Sequence, residues 1–237
     1  MESALSDFAG REVGTTLGAL PLQYKLVCFD LDGTLIDDTI YIWQTLHEAF
    51  GVPKDERQQH HSDYMAGRIS YAEWFATDIA AWRRLGKSRE DIVAVVQDLS
   101  VMNGAIATLE ALKAHGYRLA VISGSIDIVI DTLLGRDFFD DVFINHLHFD
   151  TAGAIIGGEP TPYDMEHKAT GLQAIADRKN LDISECAFVG DNENDVHIAE
   201  LAGFSISFNS KSRKLDSICD VVIDNKDLRD ILPHLEV

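Results

Sequence analysis

Within KLVCFDLDGTLIDD, residues 25–38, a run apolar enough for a protein interior ends in four carboxylates, Asp30, Asp32, Asp37 and Asp38. Carboxylates this close repel one another unless a cation sits among them or one of them holds a proton. Alternate side chains of an extended segment share a face, so Asp30 and Asp32 project together from a strand end while Gly33 and Thr34 begin a turn. Such a pair suits a hard divalent cation with oxygen ligands, such as Mg2+.

Three later stretches carry complementary groups. VISGS ends in Ser123, Gly124 and Ser125, ahead of a helix expected to start near Ile126. A hydroxyl with backbone N–H groups at a helix N-terminus makes an anion site. Lys168 opens another helix just after Asp164 and Glu166. GDNENDVH turns at Gly190 and places Asp191, Glu193, Asn194 and Asp195 in or before a helix's first turn, where acidic residues also match the helix dipole. Each stretch alone has an ordinary structural reading; their order along the chain gives them joint weight.

The elements that position these groups follow from apolar patterning. KLVCFD (25–30), RLAVIS (118–123), ECAFVG (185–190), FSISF (204–208) and DVVI (220–223) are short apolar runs expected to form strands. Helical patterns lie between them at 104–116, 126–135, 167–180 and 194–203. The alternation predicts an α/β fold with a parallel sheet covered on both faces, whose ligands bind at the carboxyl ends of the strands. Between Thr39 and Val101 the rhythm breaks into three helical segments, 40–51, 70–86 and 88–99, with KDERQQHHSD (54–63) read as a polar connector. Ser70 before Glu73 and Ser88 before Asp91 have the spacing of helix starts. This block reads as a small all-helical domain inserted after the first strand.

The 237 residues carry 39 acidic and 20 basic side chains, a formal charge of −19. That balance opposes binding to a phosphate backbone or an anionic membrane, so neither nucleic acid nor membrane is an expected partner. Cys28, Cys186 and Cys219 have no CxxC spacing and read as reduced thiols. Residues 1–23 lack the pattern of a signal peptide and read as an extension, and the chain as cytoplasmic.

DLDGT, the strand-end Ser of VISGS, Lys168 and GDNEND, in that order, resemble the four motifs of the haloacid dehalogenase-like phosphatases. The run GDNENDVHIAELAGFSISFNSKSRKLDSICDVVI is most similar to their phosphoserine phosphatase branch. The resemblance implies a Rossmann-like, doubly wound core over 24–38 and 102–237 and a helical cap over 39–101. It implies a hydrolase for a small phosphorylated metabolite. Asp30 would be the nucleophile that forms an aspartyl-phosphate, and Asp32 the acid and base. Mg2+ would bind Asp30, the backbone carbonyl of Asp32 and Asp191, while Ser123, the Gly124 amide and Lys168 would hold the phosphoryl oxygens. Asn194 would lie near the substrate, Asp195 would orient Lys168 or the metal's water shell, and Thr34 would stand behind the site.

Two departures bear on the substrate. Thr39 stands where phosphoserine phosphatases usually carry a Glu for the substrate amine, and Asp78 near where they carry an Arg for its carboxylate. A phosphotransferase or mutase using the same aspartyl-phosphate, and a non-catalytic binder of phosphorylated ligands, are the rival functions. His146 and His148 share a strand face without a further ligand nearby, His60 and His61 read as solvated, and Trp43, Trp74 and Trp82 read as core of the helical block.

Overall fold

The computed structural model describes residues 22–237. The expected extension, 1–23, lies outside them except for Leu22 and Gln23, and Leu22 packs against the core. Nine strands are present among the described residues: β1 Leu26–Phe29, β2 Ile36–Asp37, β3 Ser100–Val101, β4 Arg118–Ile126, β5 Asp141–Phe149, β6 Ile155–Glu159, β7 Cys186–Gly190, β8 Phe204–Phe208 and β9 Val221–Ile223. Seven form one sheet in the order β6-β5-β4-β1-β7-β8-β9, parallel except for β5 with β6. Because β1 lies between β4 and β7, the connections leave it in opposite directions, and a crevice opens at its carboxyl end.

Alternation along β1 divides the core. Val27 and Phe29 face one apolar layer, which also holds α5 Ala105–Ala114 and α6 Asp127–Leu133, while Leu26 and Cys28 face a second layer with α7 Lys168–Lys179, α8 Val196–Leu201 and α9 Arg213–Ile218. All four β1 side chains are fully buried, as befits a central parallel strand. Cys28, Cys186 and Cys219 are free thiols. None of the described helices is long and apolar enough to cross a membrane.

Between β2 and β3 the chain forms α1 Ile42–Phe50, α2 Lys54–Met65, α3 Tyr71–Arg84 and α4 Arg89–Gln97. The expected connector at 54–63 is therefore a helix. It has no buried residue to betray it in the sequence; Asp55 and Glu56 in its first turn and the ion pair from Arg84 to Glu56 support it instead. His60 lies on this helix with its ring mostly enclosed, beside Asp78, and is not solvated as expected. Trp82 is fully buried and stacks on Trp43 at 5.0 Å. Two further corrections concern the sheet: β5 and β6 extend it beyond the five expected strands, and β4 runs through Ser123–Ser125 so that α6 begins at Asp127.

Ser70 caps α3 reciprocally: its hydroxyl accepts from the Glu73 N–H, and the Glu73 carboxylate accepts from the Ser70 N–H at 2.7 Å. Ser70→Ala is expected to lower stability by about 1 kcal/mol. Urea unfolding with an unchanged midpoint would contradict this.

Candidate active site

Asp30 and Asp32 lie where β1 opens into a turn, and both are buried. The Asp30 N–H donates to the Val189 carbonyl at 3.0 Å, which fixes the strand end against β7. The turn closes through the Thr34 and Leu35 N–H groups, both donating to the Leu31 carbonyl. Gly33 has φ +82°, and a Cβ there would lie 2.3 Å from the Asp191 Oδ2. Only glycine meets both the left-handed backbone and the close approach.

The ammonium of Lys168, at the start of α7, is fully buried. It lies 2.9 Å from Asp30 Oδ1 and 2.7 Å from Asp195 Oδ1. Burial alone would lower its pKa, but the charges of Asp195, Asp30 and Asp164 outweigh that and raise it, so the amine stays cationic. Asp195 also accepts the Asp191 and Asn192 N–H groups through Oδ2, and so holds both the lysine and the loop after β7. Asp191 is fully buried, accepts from the Thr34 hydroxyl at 3.4 Å and pairs with Lys211 at 3.2 Å. Burial, with Asp30 and Asp195 adding repulsion, pushes its pKa up to about 8.

Asp32 is held from two sides. Its Oδ1 accepts from the Ser125 hydroxyl at 2.8 Å, at the end of β4, and its Oδ2 accepts from the Ile42 N–H at 2.7 Å, at the start of α1. Burial raises its pKa to about 7 despite these two bonds, which favour the charged form. Ser123 is buried at the end of β4 with its hydroxyl oxygen facing the Ser125 N–H. The adjacent Gly124 carbonyl accepts from the indole of Trp43 and the amide of Asn145, both at 2.7 Å. Asn194 is half-buried in the turn after Asp191, and its side-chain oxygen has no partner.

Asp30, Asp32, Ser123, Lys168, Asp191 and Asp195 thus converge from β1, β4, α7 and the loop after β7. Thr39 instead bonds Thr45 at 2.9 Å, and Asp78 is turned between helices onto His47 and His60, at 3.3 and 3.6 Å. His146 pairs with Asp127 at 3.1 Å. Sequence reasoning missed the contribution of Ser125 to Asp32, the Ile42 amide and Lys211. Only Ser125 had a signal, as the last residue of the SGS stretch.

Oxygens of Asp30, Asp191 and Asp195 lie within 4.8 Å of one another. Asp195 commits both oxygens to Lys168 and the two amides, and Asp32 commits both of its own to Ser125 and Ile42. Asp30 and Asp191 each face one lysine, Lys168 at 2.9 Å and Lys211 at 3.2 Å, and burial with the charges of Asp30 and Asp195 keeps the Asp191 pKa raised despite Lys211. An all-oxygen set of this kind fits a hard divalent cation.

A family profile described as haloacid dehalogenase-like hydrolase matches residues 24–203. Phosphoserine phosphatase of Methanocaldococcus jannaschii is 27% identical over 214 residues, 90% of this chain and 98% of that protein. Phosphoserine phosphatase of Campylobacter jejuni subsp. doylei is 30% identical over 212 residues, 88% of this chain and 98% of that protein. Among solved structures, a phospho-aspartyl intermediate analogue of phosphoserine phosphatase superposes with a TM-score of 0.69 at 25% identity, covering 90% of this chain and 99% of the other. A substrate-bound phosphoserine phosphatase gives 0.70 at 25% identity, covering 89% and 98%. The chain belongs to the haloacid dehalogenase-like hydrolases, in their phosphoserine phosphatase-like branch.

Proposed function

We propose that this phosphatase is a Mg2+-dependent hydrolase of small phosphomonoesters that works through an aspartyl-phosphate on Asp30. The observation that carries the reading is the buried Lys168 shared between Asp30 and Asp195, whose oxygens lie within 4.8 Å of one from Asp191. Lys168 orients Asp30 for attack on phosphorus, and the Ser123 hydroxyl and Gly124 N–H take phosphoryl oxygens. Asp32 gives its proton to the leaving oxygen and then takes one from the water that hydrolyses the intermediate. Asp30, Asp191 and the Asp32 carbonyl would hold Mg2+, which lowers the repulsion between carboxylate and phosphate when bound. Residues 39–101 serve as the cap that keeps bulk water out, anchored to the core by the Ile42–Asp32 and Trp43–Gly124 bonds.

The curated relatives are named phosphoserine phosphatases. The Thr39 and Asp78 contacts supply neither of the charges expected for phosphoserine, so the proposal stays with small phosphomonoesters as a class. Phosphate release from a panel of such esters, with Mg2+ and after chelation, tests it. Release that needs the metal supports the reading, and transfer to an added alcohol without free phosphate would replace it with a phosphotransferase.

An Asp32 pKa near 7 has a kinetic signature. The acid form is lost as pH rises through 7, and alkyl leaving groups need its proton more than aryl ones. The ratio of kcat/KM for an alkyl over an aryl phosphate is expected to fall by about tenfold per pH unit above that point. A ratio that stays flat would remove Asp32 as the acid.

A further inference from the structure

Asn145 is a fully buried amide within β5, although asparagine is a poor strand former. The reason for it lies in the neighbouring strand. β4 and β5 are in register at Ile122 with Phe143 and again at Ile126 with Asn145, so Ser123, Gly124 and Ser125 bulge out against Ile144 alone. A bulge leaves backbone groups without ladder partners, and buried backbone groups need partners. The Asn145 side chain supplies them: its Nδ2 donates to the Gly124 carbonyl at 2.7 Å and to the Ser125 carbonyl at 3.0 Å. Its Oδ1 accepts the Thr161 N–H at 2.8 Å, which fixes the way the amide faces.

The Gly124 carbonyl also accepts from the Trp43 indole at 2.7 Å, and the Tyr71 hydroxyl, at the start of α3, lies 2.9 Å from Asn145 Nδ2 and 3.2 Å from its Oδ1. Two helices of the insertion therefore meet the bulge at this amide. The carbonyl and the N–H of a trans peptide point in opposite directions. A Gly124 carbonyl held toward Asn145 and Trp43 thus turns the Ser125 N–H the other way, onto Ser123 Oγ at 3.3 Å. From the same stretch the Ser125 hydroxyl reaches Asp32 at 2.8 Å. Asn145 commits its donors and its acceptor to the protein, so it acts through the bulge and not on a ligand.

We propose that Asn145, with Trp43 as a second donor, is a positioning residue for phosphoryl transfer: together they hold the Ser123–Ser125 bulge in the shape that binds the phosphoryl group. The assignment rests on the phosphatase reading for the place of the phosphate. It deepens that reading by naming the residues that keep that place in order.

Calorimetric binding of orthovanadate, a phosphate mimic, to the Mg2+-loaded protein tests it without turnover. Asn145→Ala should bind vanadate about tenfold or more weaker, within the range that a small misplacement of a binding group costs at a reacting centre. Mg2+ affinity, measured before vanadate is added, should stay within about twofold, because Asp30 and Asp191 follow β1 and β7 and are not part of the bulge. Trp43→Phe keeps a ring to stack on Trp82 and removes one of the two donors to Gly124; vanadate should weaken by about threefold, as for one hydrogen bond. A residue that only stabilised the fold would lower the urea midpoint and leave vanadate affinity alone. Vanadate affinity within about twofold of the wild type in folded Asn145→Ala overturns the proposal, and if that variant does not fold, an unchanged affinity in Trp43→Phe does. So do a Mg2+ affinity that falls in step with that for vanadate and a wild type that binds no vanadate. Phosphate release from p-nitrophenyl phosphate by the wild type separates the two levels. Its absence counts against the hydrolase reading, whereas release with unchanged vanadate affinity in the variants counts against Asn145 and Trp43 alone.

Discussion

Asp30→Asn is expected to lower phosphate release by about a thousandfold or more, since the loss of a nucleophile removes the covalent route and leaves only binding and electrostatic stabilisation. The amide keeps the shape of the carboxylate and can still face Lys168, which retains Asp195 at 2.7 Å. Folding should not suffer. The Asp30 charge adds repulsion to Asp32, Asp191 and Asp195, so its removal lets all three ionise more readily. The variant is expected to unfold at or above the wild-type urea midpoint while losing activity. Quenching the wild type in acid during turnover should trap phosphate on Asp30, and the same treatment of the variant should trap none. A variant that kept activity within about tenfold would remove Asp30 as nucleophile.

What the sequence disclosed depended on whether each feature left a local mark. The five parallel strands did so because β1, β4, β7 and β8 are apolar runs buried along most of their length on both faces, and β9 is a short apolar edge strand even though Val222 is exposed. The helix α2 left no mark: its residues are polar on every side, and it has no buried face to create a period. β5 showed itself only in the strand period of His146 and His148, and β6 was hidden by its glycines, Gly157 and Gly158, of which the second lies under the ring of Phe75. At the site, the types and order of Asp30, Asp32, Ser123, Lys168 and Asp191 were legible because their chemistry is unusual at strand ends. The contacts that hold Asp32 were not, since Ser125 and the Ile42 amide approach from two other elements.

Lys168→Met should damage fold and chemistry together, and pH separates the two. Methionine is of similar length and brings no polar atom, so the change removes the charge with little change in volume. It leaves Asp30 and Asp195 buried with no ammonium between them, and breaking a buried pair by deleting one partner costs about 3–5 kcal/mol. Asp195 already has a raised pKa through burial, with Lys168 the main force pulling it back; in the variant it rises further. A carboxyl whose folded pKa exceeds its unfolded one favours the fold below the unfolded value and loses that contribution as pH rises through the folded value. The stability deficit should therefore be largest near pH 8 and shrink toward about pH 5.5, as protons replace the lost cation. Urea unfolding of both proteins at the two pH values measures this. Activity does not return at the lower pH, because a protonated Asp195 restores the fold but cannot hold a phosphoryl oxygen as the ammonium does. A deficit independent of pH would mean that Lys168 stabilises the fold by packing alone, and its place between Asp30 and Asp195 would then need another explanation.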